Sequence, residues 1–261
     1  MSDVLDSNTV IRPVLENIFA IEAPCEPGVD VRALLVCGER STLLIDTLAH
    51  PSQLDDVREL VASIELPLLI VNSHADWDHW WGNAAFPEAP VIAHHLTRAR
   101  QLAEGQRSLR SRQRKDSFFG DVMLRATTIA FEGQLDLDLG GLHVELHLLP
   151  GHTADCIVAY LPERRLLFAG DAAEDPIPLV GEDGSIVAWS ETLRAWATRA
   201  RIVVPAHGSI SGPELLERNA RYLRDLLSRP NAVVPELVEA TSFYKRAHRR
   251  NLKRATDQAE S

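Results

Sequence analysis

The chain has no run of about 18 consecutive apolar residues, so nothing in its 261 residues reads as a membrane-spanning helix. Cysteine is scarce. Cys25, Cys37 and Cys156 are scattered and odd in number, which argues against a disulfide framework and suits a reducing compartment. Positive charge is in deficit, with 27 Lys+Arg against 37 Asp+Glu and a net charge of −10, which argues against general nucleic-acid binding. The opening MSDVLDSNTV lacks the basic and apolar regions of a secretory signal, so a cytoplasmic protein with no membrane partner is expected. There is no repeat and no low-complexity tract. What remains is ordinary globular composition, 45% hydrophobic and 25% charged, at a length that holds one large domain or two small ones.

Apolar patterning divides the chain into strands and helices. VLENIFAI (14–21), VRALLVCG (31–38) and STLLIDT (41–47) read as successive strands punctuated by Pro27-Gly28 and Gly38. Residues 52–64 carry Leu54, Val57, Leu60, Val61 and Ile64 at helical spacing. LLIVNS (68–73) is a near-continuous apolar run of the kind a doubly covered strand shows. A short strand is expected at Val91–Ala93, and helical or irregular structure over 95–130. Residues 142–150, 156–162 and 165–170 read as strands. A helix follows over 187–199, with Trp189, Leu193 and Trp196 on one stripe. RIVVPA (201–206) is a strand, and helices over 213–228 and about 234–255 complete the chain. Two groups of strands, each followed by helices, predict a four-layer α/β architecture, αββα, with two packed mixed sheets flanked by helices.

Seven residues able to bind a metal each follow a predicted strand. NSHADWDHWWGN holds His74, Asp76, Asp78 and His79; LPGHTADC holds His152; LLFAGDAAEDP holds Asp171; VVPAHGS holds His207. Imidazole nitrogens and carboxylate oxygens suit zinc, iron or manganese. Alternation in H-x-D-x-D-H puts His74, Asp76 and Asp78 on one side of an extended segment. Gly151 and Gly208, beside His152 and His207, let the backbone approach closely. A carboxylate such as Asp171 can bridge two cations, which a histidine cannot. A lone histidine is more often a satisfied core residue; seven ligands in this order are not read that way.

The H-x-[HD]-x-D-H segment, PGHT, AGD and P-x-H-G, in that order, resemble the metallo-β-lactamase superfamily, most closely its hydroxyacylglutathione-hydrolase-like members. The resemblance implies a single domain over 1–261, with a core of about 14–210 and C-terminal helices over about 211–255. It implies two divalent metal ions, zinc or iron/manganese. His74, Asp76 and His152 would hold one ion, Asp78, His79 and His207 the other, and Asp171 would bridge. It also implies hydrolysis of a small ester, thioester or lactone by metal-activated water, with Asp78 as the catalytic residue that orients the water. Alternatives are a phosphodiesterase, a non-haem iron oxidase or dioxygenase, and a metal-free binding relative. The sequence departs from the family pattern at Asp76, where a histidine is usual, at Leu48 in the D-T-G segment, and at Ala206. Asp76 makes the ligand set more anionic, which leans toward iron or manganese.

Further expectations concern the substrate, a small molecule. Trp80 and Trp81, beside the ligands, are candidate pocket walls. Tyr244, His248 and Asn251 share a face of the last helix and are candidate substrate-binding residues at the pocket mouth. Cys156 reads as a small buried hydrophobe, and His94, His95, His143 and His147 as surface or structural. Seven basic residues lie within 98–115 and six within 243–254. They are solvated faces or, if they rim the pocket, a steering field for an anionic substrate.

Overall fold

A computed structural model describes residues 7–182 and 184–259. Among them, twelve strands form two mixed sheets. The first has the order β1 (Val10–Leu15), β2 (Ile18–Glu26), β3 (Val29–Cys37), β4 (Thr42–Ile45), β5 (Leu68–Val71), β6 (Val91–His94) and β7 (Ile129–Phe131). Pairing is antiparallel through β4 and parallel from β4 to β7. Parallel neighbours need a crossover. Between β4 and β5 it is α1 (Asp55–Ile64), which has Asp55 and Asp56 in its first turn and stops at Glu65 in the left-handed region. α2 (Trp77–Trp80) is a single turn, and α3 (His95–Gln113) runs from β6 toward β7. The one strand expected over 14–21 is instead the junction of β1 and β2. Asn17, at φ 62, makes the turn between them, a conformation asparagine tolerates better than most residues.

The second sheet has the order β12 (Ile202–Pro205), β11 (Leu166–Gly170), β10 (Ile157–Leu161), β9 (His143–Leu148), β8 (Gln134–Asp138). The backbone divides into two compact units, the break falling after Leu146 within β9. In the unit from His147 onward, α4 (Ile186–Arg199) buries Ile186, Trp189, Leu193 and Trp196. That stripe shares a core with Val158, Leu167 and Val203 of the sheet and with Leu215, Leu216 and Leu223 of α5 (Glu214–Ser228). Each large side chain so buried contributes about 1.5–3 kcal/mol. α6 (Ser242–Ala259) begins later than its periodicity suggests. Val234 is held extended ahead of Pro235, and Pro235–Leu237 closes only one 3₁₀ turn. No helix among the described residues is long and apolar enough to cross a membrane.

Candidate metal centre

Because β4 and β5 are parallel, with Ile45 opposite Val71, both release their chains at the same edge of the sheet. Asp46 therefore lies beside Ser73 and His74. Its buried carboxylate accepts from Ser73 N (2.7 Å) and Ser73 Oγ (2.7 Å), and from His79 Nδ1 (2.8 Å). These partners fix two tautomers. A carboxylate only accepts, so His79 carries its hydrogen on Nδ1. Ser73 Oγ gives its single hydrogen to Asp46, so its contact with His74 Nδ1 (3.0 Å) has the histidine as donor. In the neutral rings both lone pairs are then on Nε2, the nitrogens that face acids: His74 Nε2 is 3.8 Å from Asp76 Oδ2, and His79 Nε2 is 3.8 Å from Asp78 Oδ1. Two atoms ligating one tetrahedral ion at about 2.1 Å stand about 3.4 Å apart. The spacing is too long for a hydrogen bond and suits ligands of a shared ion. Leu48, where the family pattern has glycine, is buried at φ 59 and keeps the left-handed backbone at a cost of about 1–2 kcal/mol.

Asp76 has a partner that spacing does not reveal. Arg100, on α3, donates from Nη2 to Asp76 Oδ1, and Glu104 one turn on receives Arg100 Nε at 3.4 Å. The carboxylate thus offers one oxygen to the guanidinium and turns the other toward His74. Arg100 sets a cation beside Asp76 and draws electron density from its carboxylate, and it shares that charge with Glu104.

In the second unit, parallel pairing of β11 with β12 brings Asp171 and His207 to one sheet edge. Asp171 Oδ2 is 3.6 Å from His152 Nε2, and Oδ1 is 3.5 Å from His207 Nε2, so one carboxylate presents an oxygen to each of two histidines. That is the disposition a bridging ligand needs. His152 gives its Nδ1 hydrogen to Leu179 O (2.9 Å), which again leaves the lone pair on Nε2. Close backbone approach is real at both flanking glycines. A Cβ on Gly151 would stand 2.4 Å from the Trp189 ring, and Gly208, at φ 91, would put one 2.3 Å from Asp175 O. The sequence reading missed Glu174. It is buried, and its carboxyl comes within ligating distance of His152 and Asp171. Burial and then the charge of Asp171 push it up to about 8, against the opposing pull of His207 and His152. Leu179 N (3.2 Å) and Tyr244 Oη (3.5 Å) donate to it.

The other candidates take different places. Trp80 and Trp81 are 1% and 0% exposed, packed with Leu109, Phe119 and Val122, so they are core rather than pocket walls. Trp77 is the partly exposed one, and Arg112 stacks on its ring at 3.4 Å. Asn251 is 1% exposed and fastens the backbone at Pro178 and Val180, while His248 meets Tyr222 Oη at 2.9 Å. Asn251 is too buried to meet a substrate, and Tyr244 Oη turns to Glu174. Cys156 is buried beside Thr153 Oγ1 (3.0 Å), and burial raises its thiol well above the usual range. His94 accepts from Leu96 N at the start of α3, and His147 packs on Trp196. Several basic residues are engaged locally: Arg100 with Asp76, Arg112 with Glu26 at 2.7 Å, Arg254 with Glu182.

The family model for the metallo-β-lactamase superfamily matches residues 27–207. A type 2 metallo-β-lactamase of Bacteroides fragilis is 33% identical over 104 residues, 37% of this chain and 42% of that protein. A linear primary-alkylsulfatase of a Pseudomonas species is 32% identical over 111 residues, 40% of this chain and 21% of that protein. The chain thus aligns with less than half the length of either curated relative. Among solved structures, a metallo-β-lactamase from Pontibacter korlensis superposes with a TM-score of 0.69 at 20% identity, covering 84% of this chain and 100% of that one. A mono-zinc metallo-β-lactamase from Pseudomonas aeruginosa gives 0.66 at 20% identity, covering 86% and 97%. The fold class expected from the sequence is the one these structures share, and the chain belongs to the metallo-β-lactamase superfamily.

Proposed function

We propose that the protein is a metal-dependent hydrolase of a small ester, thioester or lactone, akin to the hydroxyacylglutathione-hydrolase-like branch of its superfamily. In this reading His74, Asp76 and His152 hold one divalent ion, Asp78, His79 and His207 hold the other, and Asp171 serves both. The observation that carries it is the set of fixed tautomers. His74, His79 and His152 each have Nδ1 engaged, and Nε2 stands 3.6–3.8 Å from a carboxylate oxygen. When bound, such ions supply Lewis acidity and make water nucleophilic near neutral pH. Asp78, whose Oδ1 faces His79 Nε2, would be among the residues holding an ion and would orient the attacking water. Asp46, through His79 and Ser73, keeps two ligands in the tautomer they need. Basic residues of α3 and α6 with no acidic partner among the described residues, such as Arg110 and Arg249, would favour a substrate carrying an anion away from the scissile bond.

The test is metal analysis of protein purified without added metal, followed by a panel of ester, thioester, lactone, phosphodiester, alkyl sulfate and β-lactam substrates. Near two equivalents of zinc, iron or manganese are expected. Turnover of a carboxylic ester, thioester or lactone should fall to background on chelation and return on adding metal back. Absence of bound metal, or turnover indifferent to chelation, would overturn the reading.

Metal choice gives a second expected result. Asp76→His replaces a hard donor with imidazole and should shift the bound metal toward zinc under equal supply. That single change leaves Arg100 facing an imidazole, so the double variant Asp76→His/Arg100→Gln should hold zinc more tightly than Asp76→His alone. Unchanged zinc-to-iron ratios in both variants would count against Asp76 as a ligand.

A further inference from the structure

In the unit from His147 onward, outside the ligand set, α5, the 229–236 turn and α6 enclose a cavity of about 260 Å³. Leu226, Val234 and Leu252 give it an apolar wall, and Arg221, Tyr222 and His248 line it as polar groups. The hydrogen bonds behind it set its polarity. Asn251 Nδ2 donates to Tyr222 Oη (3.0 Å), which passes its own hydrogen to His248 Nδ1 (2.9 Å). Burial lowers the pKa of His248 and keeps it neutral, so its remaining hydrogen is on Nε2 and the ring is a donor. Of the arginines, Arg218 pairs with Asp175 (2.6 Å) and Arg229 with Asp225 (2.7 Å). Arg221 has no acidic partner among the described residues. A donor histidine, an uncommitted guanidinium and an apolar wall in a space this small fit an acceptor-only head group on a short apolar body.

We propose that this cavity binds a small amphiphilic anion, a medium-chain carboxylate in chemical class, and that its occupancy is felt at His152. The connection is a set of hydrogen bonds that meet on one backbone segment, Pro178 to Val180. His248 and Tyr222 lead to Asn251, which donates to Pro178 O (2.8 Å) and accepts from Val180 N (2.9 Å). Between those two residues, Leu179 O receives His152 Nδ1. The segment has no slack, because a Cβ on the next residue, Gly181, would stand 1.8 Å from His152 O. The binding site stands independently of the metal reading; only the consequence at the metal rests on His152 being a ligand.

The experiment titrates hexanoate onto the full chain, metal-free and zinc-loaded, by calorimetry, with hexanol and hexylammonium as controls. Saturable binding is expected with a Kd on the order of 1 mM for a ligand of this size. Arg221→Ala should weaken it several-fold. Glu236→Gln, which removes the one lining acid without an arginine on it, should tighten it. Ala232→Trp should fill the cavity and abolish binding. If that variant fails to fold, Arg221→Ala, a change at the exposed surface, still decides the matter. Equal affinity for hexylammonium, or no effect of Arg221→Ala and Glu236→Gln, would overturn the anion assignment. The relay is read in metal-free protein by hydrogen exchange: hexanoate should increase protection of the Val180 amide several-fold. Unchanged exchange there with hexanoate bound would overturn the coupling. Failure to bind zinc at all would instead sink the proposed function and leave both hexanoate measurements intact.

Discussion

Asp78→Ala protein should fold and yet lose hydrolytic turnover by about 10³-fold or more, the scale seen when a group acting in the transition state is removed. The reasons are local. Asp78 sits on α2, a single helical turn, and its carboxylate oxygen faces His79 Nε2 at 3.8 Å. It takes no part in the apolar cluster of Trp80, Trp81, Leu109 and Phe119 that secures this segment. Neither Asp46 nor Asn83, which hold the flanking backbone, depends on it: Asp46 grips Ser73 and His79, and Asn83 bonds Asn72, Thr47 and Arg125 O. On the proposed assignment, removing the side chain takes away one ligand and the acceptor that orients water, with a small effect on melting temperature. The loss should fall on kcat more than on KM, because the group acts on the attacking water rather than on the substrate's binding. Circular dichroism, metal content and kcat measured together make the test. Well-folded Asp78→Ala protein that retains substantial turnover would place the chemistry elsewhere.

How far the site could be read from the sequence depended on distance along the chain. The candidate ligands stood out because each follows an apolar run: LLIV before Asn72-Ser73-His74, LLFAG before Asp171, IVVP before Ala206-His207. A strand end is a local signal. The stripe of Trp189, Leu193 and Trp196 was legible for the same reason, as a helical period within one segment. What the sequence withheld is pairing across long separations. Nothing in the spacing of Asp76 and Arg100 says that a guanidinium 24 residues on will meet that carboxylate. Glu174 follows no such local signal: Asn219 of α5 fixes its backbone and Tyr244 of α6 reaches its side chain. Periodicity correctly put Tyr244, His248 and Asn251 on one face of α6, but a period names a face and not what covers it. Tyr222 and the 178–180 segment cover it. Trp80 and Trp81 failed as pocket walls for a related reason: nearness to ligands in sequence says nothing of Phe119 and Val122, which arrive about 40 residues later and bury them.

Asp46 makes the second large expected effect, and it acts on stability and metal affinity by separable routes. Asp46→Ala removes the acceptor shared by two buried side-chain donors, Ser73 Oγ and His79 Nδ1, and by the Ser73 amide. Each buried donor left unsatisfied costs about 1–3 kcal/mol. Asp46 also holds φ 63, a backbone state that aspartate tolerates better than alanine. Together these predict a loss on the order of 3–5 kcal/mol in unfolding free energy of the metal-free protein, a range familiar from breaking buried polar networks. Asp46→Asn keeps the shape and the tolerance for φ 63, so it should unfold closer to the parent. One of its two oxygens, however, becomes an NH₂ group facing donors. If the amide nitrogen takes the place of Oδ2, His79 must turn acceptor at Nδ1 and carry its hydrogen on Nε2, where the ligand lone pair is needed. Ser73 Oγ would likewise lose the acceptor that commits its hydrogen, and with it the constraint on His74. Two of the proposed ligands are misprotonated by one atom's change. Zinc affinity measured by chelator competition should fall about 10–100-fold in Asp46→Asn, the cost typical of losing an orienting partner behind a metal-bound histidine. The argument fails if Asp46→Asn binds zinc as tightly as the parent. It also fails if affinity falls only in proportion to stability across the two variants, because the carboxylate would then be holding the fold and not the tautomers.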